Sequence, residues 1–148
     1  MELNDEIFIN APREVVYAAL NDPEILKQCI PGCEELIKHS DTELEAKVVL
    51  KVGPVRAKFG GNVTLDPSNA PNGFSLSGEG SGGVAGFAKG GADVELEEKD
   101  GGTLLRYTAK ADIGGKLAQL GSRLVTSTAN KLSKKFFESF AEHITAVG

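Results

Sequence analysis

Leu3, Ile7 and Ile9 alternate with Glu2, Asn4, Glu6 and Phe8 near the start of the chain, and only Asp5 breaks the apolar parity. A period of two puts successive side chains on opposite faces of an extended backbone, so residues 2–10 predict a strand. Ala11-Pro12 then permits a helix to begin, and Val15, Val16, Ala19 and Leu20 carry helical spacing. Asn21-Asp22-Pro23 separates this first short helix from a second over residues 24–29. Ile30-Pro31-Gly32 ends it, because proline restricts the residue before it and glycine accepts positive φ.

From residue 34 to residue 113 the pattern is strand, turn, strand. Leu44, Ala46, Val48, Leu50 and Val52 alternate with Glu43, Glu45, Lys47 and Lys51, which gives one apolar and one solvated face. Gly53-Pro54 reads as a turn, and Val55, Ala57, Phe59, Val63 and Leu65 then oppose Arg56, Lys58, Asn62 and Thr64. Residues 66–73 form a longer loop, and strands over 74–81, 87–98 and 103–113 complete an antiparallel meander. After Gly114-Gly115 the period changes. Leu117, Leu120, Leu124, Thr128, Leu132, Phe136, Phe140 and Ile144 recur every three or four residues, which predicts one long amphipathic helix over residues 116–144. At about 1.5 Å per residue it reaches roughly 40 Å and must lie across several strands. The expected fold is α+β, with about seven antiparallel strands curved around the long C-terminal helix and two short helices after the first strand.

Composition narrows the function. The 148 residues suit one domain spanning 1–148, and a hydrophobic fraction of 41% is ordinary for a globular chain. A net charge of −5 argues against nucleic acid as a partner, since phosphate binding depends on clustered Lys and Arg. No run approaches the roughly 18 apolar residues of a membrane span, and the start lacks the regions of a signal peptide, so a cytoplasmic protein is expected. Cys29 and Cys33 have no histidine cluster nearby, and read as reduced thiols with no metal site.

Four segments carry a resemblance. Ile30-Pro31-Gly32-Cys33-Glu34, the run from Val52-Gly53-Pro54 to Gly60-Gly61, the glycines from Gly78-Glu79-Gly80 to Gly91, and Gly114-Gly115-Lys116-Leu117-Ala118-Gln119-Leu120-Gly121 occur in that order. Together they resemble the carbon monoxide dehydrogenase G-subunit family over nearly the whole chain. The resemblance implies a START-like helix-grip domain enclosing an apolar cavity. It also implies an accessory role beside an aerobic molybdenum-containing carbon monoxide dehydrogenase or related hydroxylase, in membrane attachment or in handling quinone or lipid. Such a protein is expected in the cytoplasm, peripheral at the inner face of the plasma membrane.

The candidate ligand-binding residues are Phe59, Phe74, Leu76, Gly78, Gly80, Phe87, Tyr107, Leu117, Leu120, Leu124 and Thr128. Continuing the inward parity of Phe74 and Leu76 puts Gly78, Gly80 and Gly82 on the concave face. There the missing side chains either leave room for a ligand or merely bend the sheet. The aromatic residues line a pocket or are plain core, and Thr128 offers a hydroxyl to a ligand carbonyl or back to its own helix. Lys131, Lys134 and Lys135, beside Phe136-Phe137, meet an anionic membrane surface or an acidic partner, or are simply a solvated helix face. Cys29, Cys33, His39 and His143 form no nucleophile and base pair by spacing, and Glu79 reads as an outward, solvated acid. No catalytic residue is assigned, and the chain is read as non-enzymatic. Polyketide-cyclase-like relatives do perform chemistry on this fold, so a cyclase or hydratase is the competing reading, and a purely structural subunit with a filled core is the third.

Overall fold

The alternation at the start of the chain becomes the strand Glu2–Ile9 (β1), which pairs antiparallel with the last strand, Gly102–Gly114 (β7), Leu3 facing Ala109 and Ile7 facing Leu105. The computed structural model describes the backbone of residues 1–147 and the side chains of residues 1–144. Two helices follow β1, Arg13–Leu20 (α1) and Pro23–Cys29 (α2). Asp22 caps α2: its Oδ1 accepts from the Glu24 amide at 2.9 Å, and Pro23 at the first helical position has no amide to leave unpaired.

Cys33–Lys38 (β2), Glu43–Val52 (β3), Val55–Asp66 (β4), Gly73–Ser81 (β5) and Phe87–Lys99 (β6) run in sequence towards β7. The seven strands form one antiparallel sheet in the order β1-β7-β6-β5-β4-β3-β2, so each meander strand lies beside its sequence neighbour and only β1 crosses over. Gly53 takes φ +57° in the two-residue turn between β3 and β4, a conformation that primed hairpin turns need at their first central position.

The single helix expected over residues 116–144 is two helices, Lys116–Gln119 (α3) and Ser122–Val147 (α4). Gly121 causes the break. It sits at φ +94°, where its amide closes the last turn of α3 on the Ala118 carbonyl at 3.2 Å, and its own carbonyl accepts from Val125 to open α4 at 3.2 Å. The 26 residues of α4 span about 39 Å and lie in the grip of the sheet.

Core packing concentrates at one end of that grip. Ile9, Val16, Leu105 and Phe140 are almost wholly buried, and Leu96, Phe74 and Ile144 join them. Thr103 is the buried polar residue among them, and its hydroxyl donates to the Ala11 carbonyl at 2.7 Å, so no donor is orphaned there.

Candidate functional site: an apolar cavity under the long helix

Each level of the curved sheet places one residue per strand on its concave side, and the levels differ sharply in side-chain size. At the packed end Phe74 of β5 faces Val94 of β6, which faces Tyr107 of β7. Next come Leu76, Ala92 and Ala109. Beyond them Val63 of β4 faces Gly78, Gly78 faces Gly90, and Gly90 faces Ala111. Further out, Ala46 of β3 faces Gly61, then Gly80, Ala88 and Ile113 follow across the sheet. The helix answers with Val125, Thr128, Ala129 and Leu132, and small against small leaves a cavity of about 550 Å³. Val48, Leu50 and Val52 wall its β3 side, Ile30-Pro31 closes it beside α2, and Phe59 and Leu117 stand at its outer end.

That volume lies within the usual range for small-molecule pockets, and the lining is almost wholly apolar, so its occupant is matched by shape and hydrophobicity. Asn62, Glu79, Lys89 and Lys110 also border it, but all four are exposed residues on the outward parity of their strands. Thr128 brings the one side-chain hydroxyl among the described lining residues. Glu79 is therefore the solvated acid that its parity predicts.

Of the candidates, Phe59, Leu76, Gly78, Gly80, Leu117 and Thr128 line the cavity. The other five lie elsewhere. Phe74 is core, edge-on to Tyr17 with ring centroids 5.8 Å apart, and Tyr107 stacks on Phe137 at 5.5 Å. Phe87 is 51% exposed, because the inward residues of β6 are the even-numbered Ala88, Gly90 and Ala92 and Phe87 is odd. Leu120 falls in the break between α3 and α4, and Leu124 is turned towards the Gly53 turn. Sequence reasoning missed the Ile30-Pro31 wall and the alanines of β6 and β7. Their signal was available, since the even positions of β6 and the odd positions of β7 read Ala88, Gly90, Ala92 and Ala109, Ala111, Ile113.

The concave glycines serve different ends. A Cβ at Gly80 would meet nothing nearer than the Gly60 carbonyl at 3.5 Å, an ordinary contact, so a methyl group fits there and strand approach does not require the glycine. At Gly78 it would lie 2.9 Å from the Asn62 carbonyl, and at Gly90 it would collide with the backbone at Lys110 and Ala111, so those glycines also let the strands come close. Gly82 lies under the Phe59 ring, 2.5 Å from where its Cβ would be. Cavity space and sheet shaping are thus divided among neighbouring positions of one segment.

Away from the cavity, folding brings together residues that are far apart in sequence. Cys29 Sγ lies 3.8 Å from His143 Nδ1, while that nitrogen donates to the Ser139 carbonyl at 2.9 Å and Nε2 sits 2.6 Å from Gln28 Oε1. Both ring nitrogens are engaged, and burial pushes the Cys29 thiol up, so the pair lacks the features of an activated nucleophile and base. Beside it a polar cleft of about 440 Å³ runs between Lys27, Gln28 and the Lys135, Glu138 and Ser139 turn of α4. Lys131, Lys134 and Lys135 are exposed, whereas Phe136 and Phe137 pack against the core, so that basic face has no apolar rim at these two rings.

The architecture recurs in solved structures. A conserved protein from Geobacillus kaustophilus shares 28% identity with a TM-score of 0.92, covering 99% of this chain and 96% of that one. A Thermus thermophilus protein is 18% identical with a TM-score of 0.74, covering 100% and 99%. The Zhui aromatase/cyclase from Streptomyces sp. R1128 is 12% identical with a TM-score of 0.71, covering 98% and 93%, and shares the START-like fold. Among proteins of curated function none matches the chain. Residues 6–145 match the carbon monoxide dehydrogenase G-subunit family (CoxG), and with nearly the whole length so matched the chain belongs to that family.

Proposed function

We propose that this protein is a non-enzymatic accessory subunit that holds a hydrophobic small molecule, a quinone or a lipid, beside an aerobic molybdenum-containing carbon monoxide dehydrogenase or a related hydroxylase. On this reading it works in the cytoplasm, peripheral at the inner face of the plasma membrane. The observation that carries the proposal is the cavity of about 550 Å³, held open by the small residues at Gly61, Gly80, Ala88 and Ala129. Interiors otherwise pack to the density of organic crystals, so an apolar space of this size is kept for an apolar occupant. The Thr128 hydroxyl can donate to one of the two carbonyl oxygens of a quinone. Family membership supports the accessory role, since the family is named for a subunit of carbon monoxide dehydrogenase.

Native mass spectrometry of the purified chain, with solvent extraction of what it carries, tests the reading. The expected result is a quinone or lipid that exchanges for an added apolar probe, and that Gly80→Leu no longer retains. Failure of the stripped wild type to take up any quinone, fatty acid or phospholipid would remove the carrier function. Turnover of a polyketide-like substrate by the isolated chain would favour the second reading, a cyclase, which the fold of the Zhui aromatase/cyclase keeps open.

A further inference from the structure

The outer end of the cavity is built by three segments, residues 50–59, 81–91 and 112–124, and their charge contradicts that of the chain. The whole protein carries a net charge of −5, yet these segments hold the bases Lys51, Arg56, Lys58, Lys89, Lys116 and Arg123 against the single acid Asp112. Lys58 pairs with Glu34 at 3.0 Å. The other five bases form no ion pair among the described residues, although Lys47, Arg13 and Arg106 elsewhere on the surface do. Lys89 lies between two acids in the sheet register, Glu79 on β5 and Asp112 on β7, which leaves Lys51, Arg56, Lys116 and Arg123; four cations collected at one end of an acidic protein make a local field of the opposite sign.

The same end exposes apolar side chains. Val84 is 83% exposed, the most exposed large hydrophobic residue among those described, and Phe87 beside it is 51% exposed. Val84 sits at the middle of the 3-10 turn Gly83–Ala85, between Gly83 at φ +63° and Gly86 at φ +122°, where those conformations carry the turn outwards. Gly82 underlies the Phe59 ring and Gly86 abuts Gly115 just before α3, so this loop spans from β4 to the start of α3 beside the outer end of the cavity, where Phe59 and Leu117 stand.

We infer that this end docks on an anionic lipid bilayer, the Val84 and Phe87 tip entering the interface and the cations of the same end meeting the headgroups. An apolar tip at the same end as several unpaired bases is complementary to such a surface, where buried apolar area and each nearby base add to the attraction. A single projecting loop suits a deformable hydrocarbon boundary better than the flat, close-packed core of a protein interface. The inference rests on the carrier reading in one respect: docking here sets the outer end of the cavity against the source of its ligand.

Sedimentation of the full chain with vesicles tests it. Wild type should bind phosphatidylglycerol-containing vesicles, and binding should fall about tenfold on Val84→Asp, on the pair Lys51→Glu and Arg56→Glu, or on raising the salt to about 0.5 M. The chain has no tryptophan, so Val84→Trp supplies a lone reporter whose emission should shift blue on those vesicles and be quenched by brominated acyl chains. The Gly80→Leu variant should bind vesicles as wild type does, and Val84→Asp should still take up an apolar probe from detergent solution, so loss of docking and loss of cavity binding are read separately. Equal binding to phosphatidylcholine vesicles, an unshifted emission from the Val84→Trp reporter, or a wild type that leaves vesicles alone and associates only with acidic proteins would overturn the inference.

Discussion

The two ends of the grip are made by the same strands and the same helix, yet one is filled and the other hollow. At the filled end Ile9, Val16, Leu105 and Phe140 meet with hardly any exposure, and a buried hydroxyl has its partner. At the hollow end the matching positions are Gly61, Gly80, Ala88, Thr128 and Ala129 around a cavity. Backbone hydrogen bonding is continuous through both, since β4 pairs with β5, and β5 with β6, across the small residues as across the large ones. The difference lies in side-chain volume alone. The ladder supplies a frame that stands without a full core, and the filled end anchors the sheet and helix while the other end stays open.

Given that division, substitutions at the filled end should act on stability. Phe140 is completely buried and stacks on Phe136 at 5.8 Å, so Phe140→Ala should cost about 3–5 kcal/mol, read from the urea midpoint. A cost below about 1 kcal/mol would mean that the packing there is loose too. Thr103→Val keeps the shape but leaves the buried Ala11 carbonyl without its donor, and should cost about 1–3 kcal/mol by the same measurement.

How far the sequence revealed this contrast depended on whether a period or a volume was being read. Alternation placed β3 at its observed bounds, Glu43–Val52, and the wider periodicity placed the grip and its long helix. It failed at Gly121, because a three-and-four spacing continues through a short break and only the positive φ there interrupts the chain. The cavity was half legible. The parity through Leu76, Gly78 and Gly80 found its β5 wall, but aromatic residues drew attention to Phe74, Phe87 and Tyr107, which are core or surface. A hollow is marked by runs of small inward residues on adjacent strands, and pairing register, which joins Gly80 to Ala88 and Gly90 to Ala111, is not written in any one strand.

The glycines offer a sharper cut between frame and space. Gly90→Ala would drive a methyl group into the backbone at Lys110 and Ala111, and should destabilise by about 1–3 kcal/mol. Gly80→Ala meets only ordinary contacts, and by removing the flexibility of glycine from a strand it should be neutral or stabilising by up to about 1 kcal/mol. Thermal melts of the two variants give the comparison directly, and equal losses would mean that Gly80 too is kept for sheet packing.

The smallest effect should come from the thiols, one in the filled core and one at its edge. Cys29 is 2% exposed, and burial raises its pKa from the ordinary thiol value of 9.0. Burial also raises that of the half-buried Cys33, with Lys27 and the Glu35 backbone pulling in the other direction. A raised value means that the unfolded chain ionises first, so above about pH 9 it binds fewer protons than the native chain. The thiol contribution to stability is therefore whole below 9.0 and is lost as pH rises through the raised native value. Urea midpoints at about pH 8 and about pH 10 should show a decline that Cys29→Ala reduces more than Cys33→Ala does, because desolvation acts unopposed at Cys29. Alkylation of the native protein should follow the same order in reverse, Cys33 reacting first and Cys29 only as the packed end opens. Equal rates at the two thiols would show that the α2 side of the filled end opens as readily as its edge.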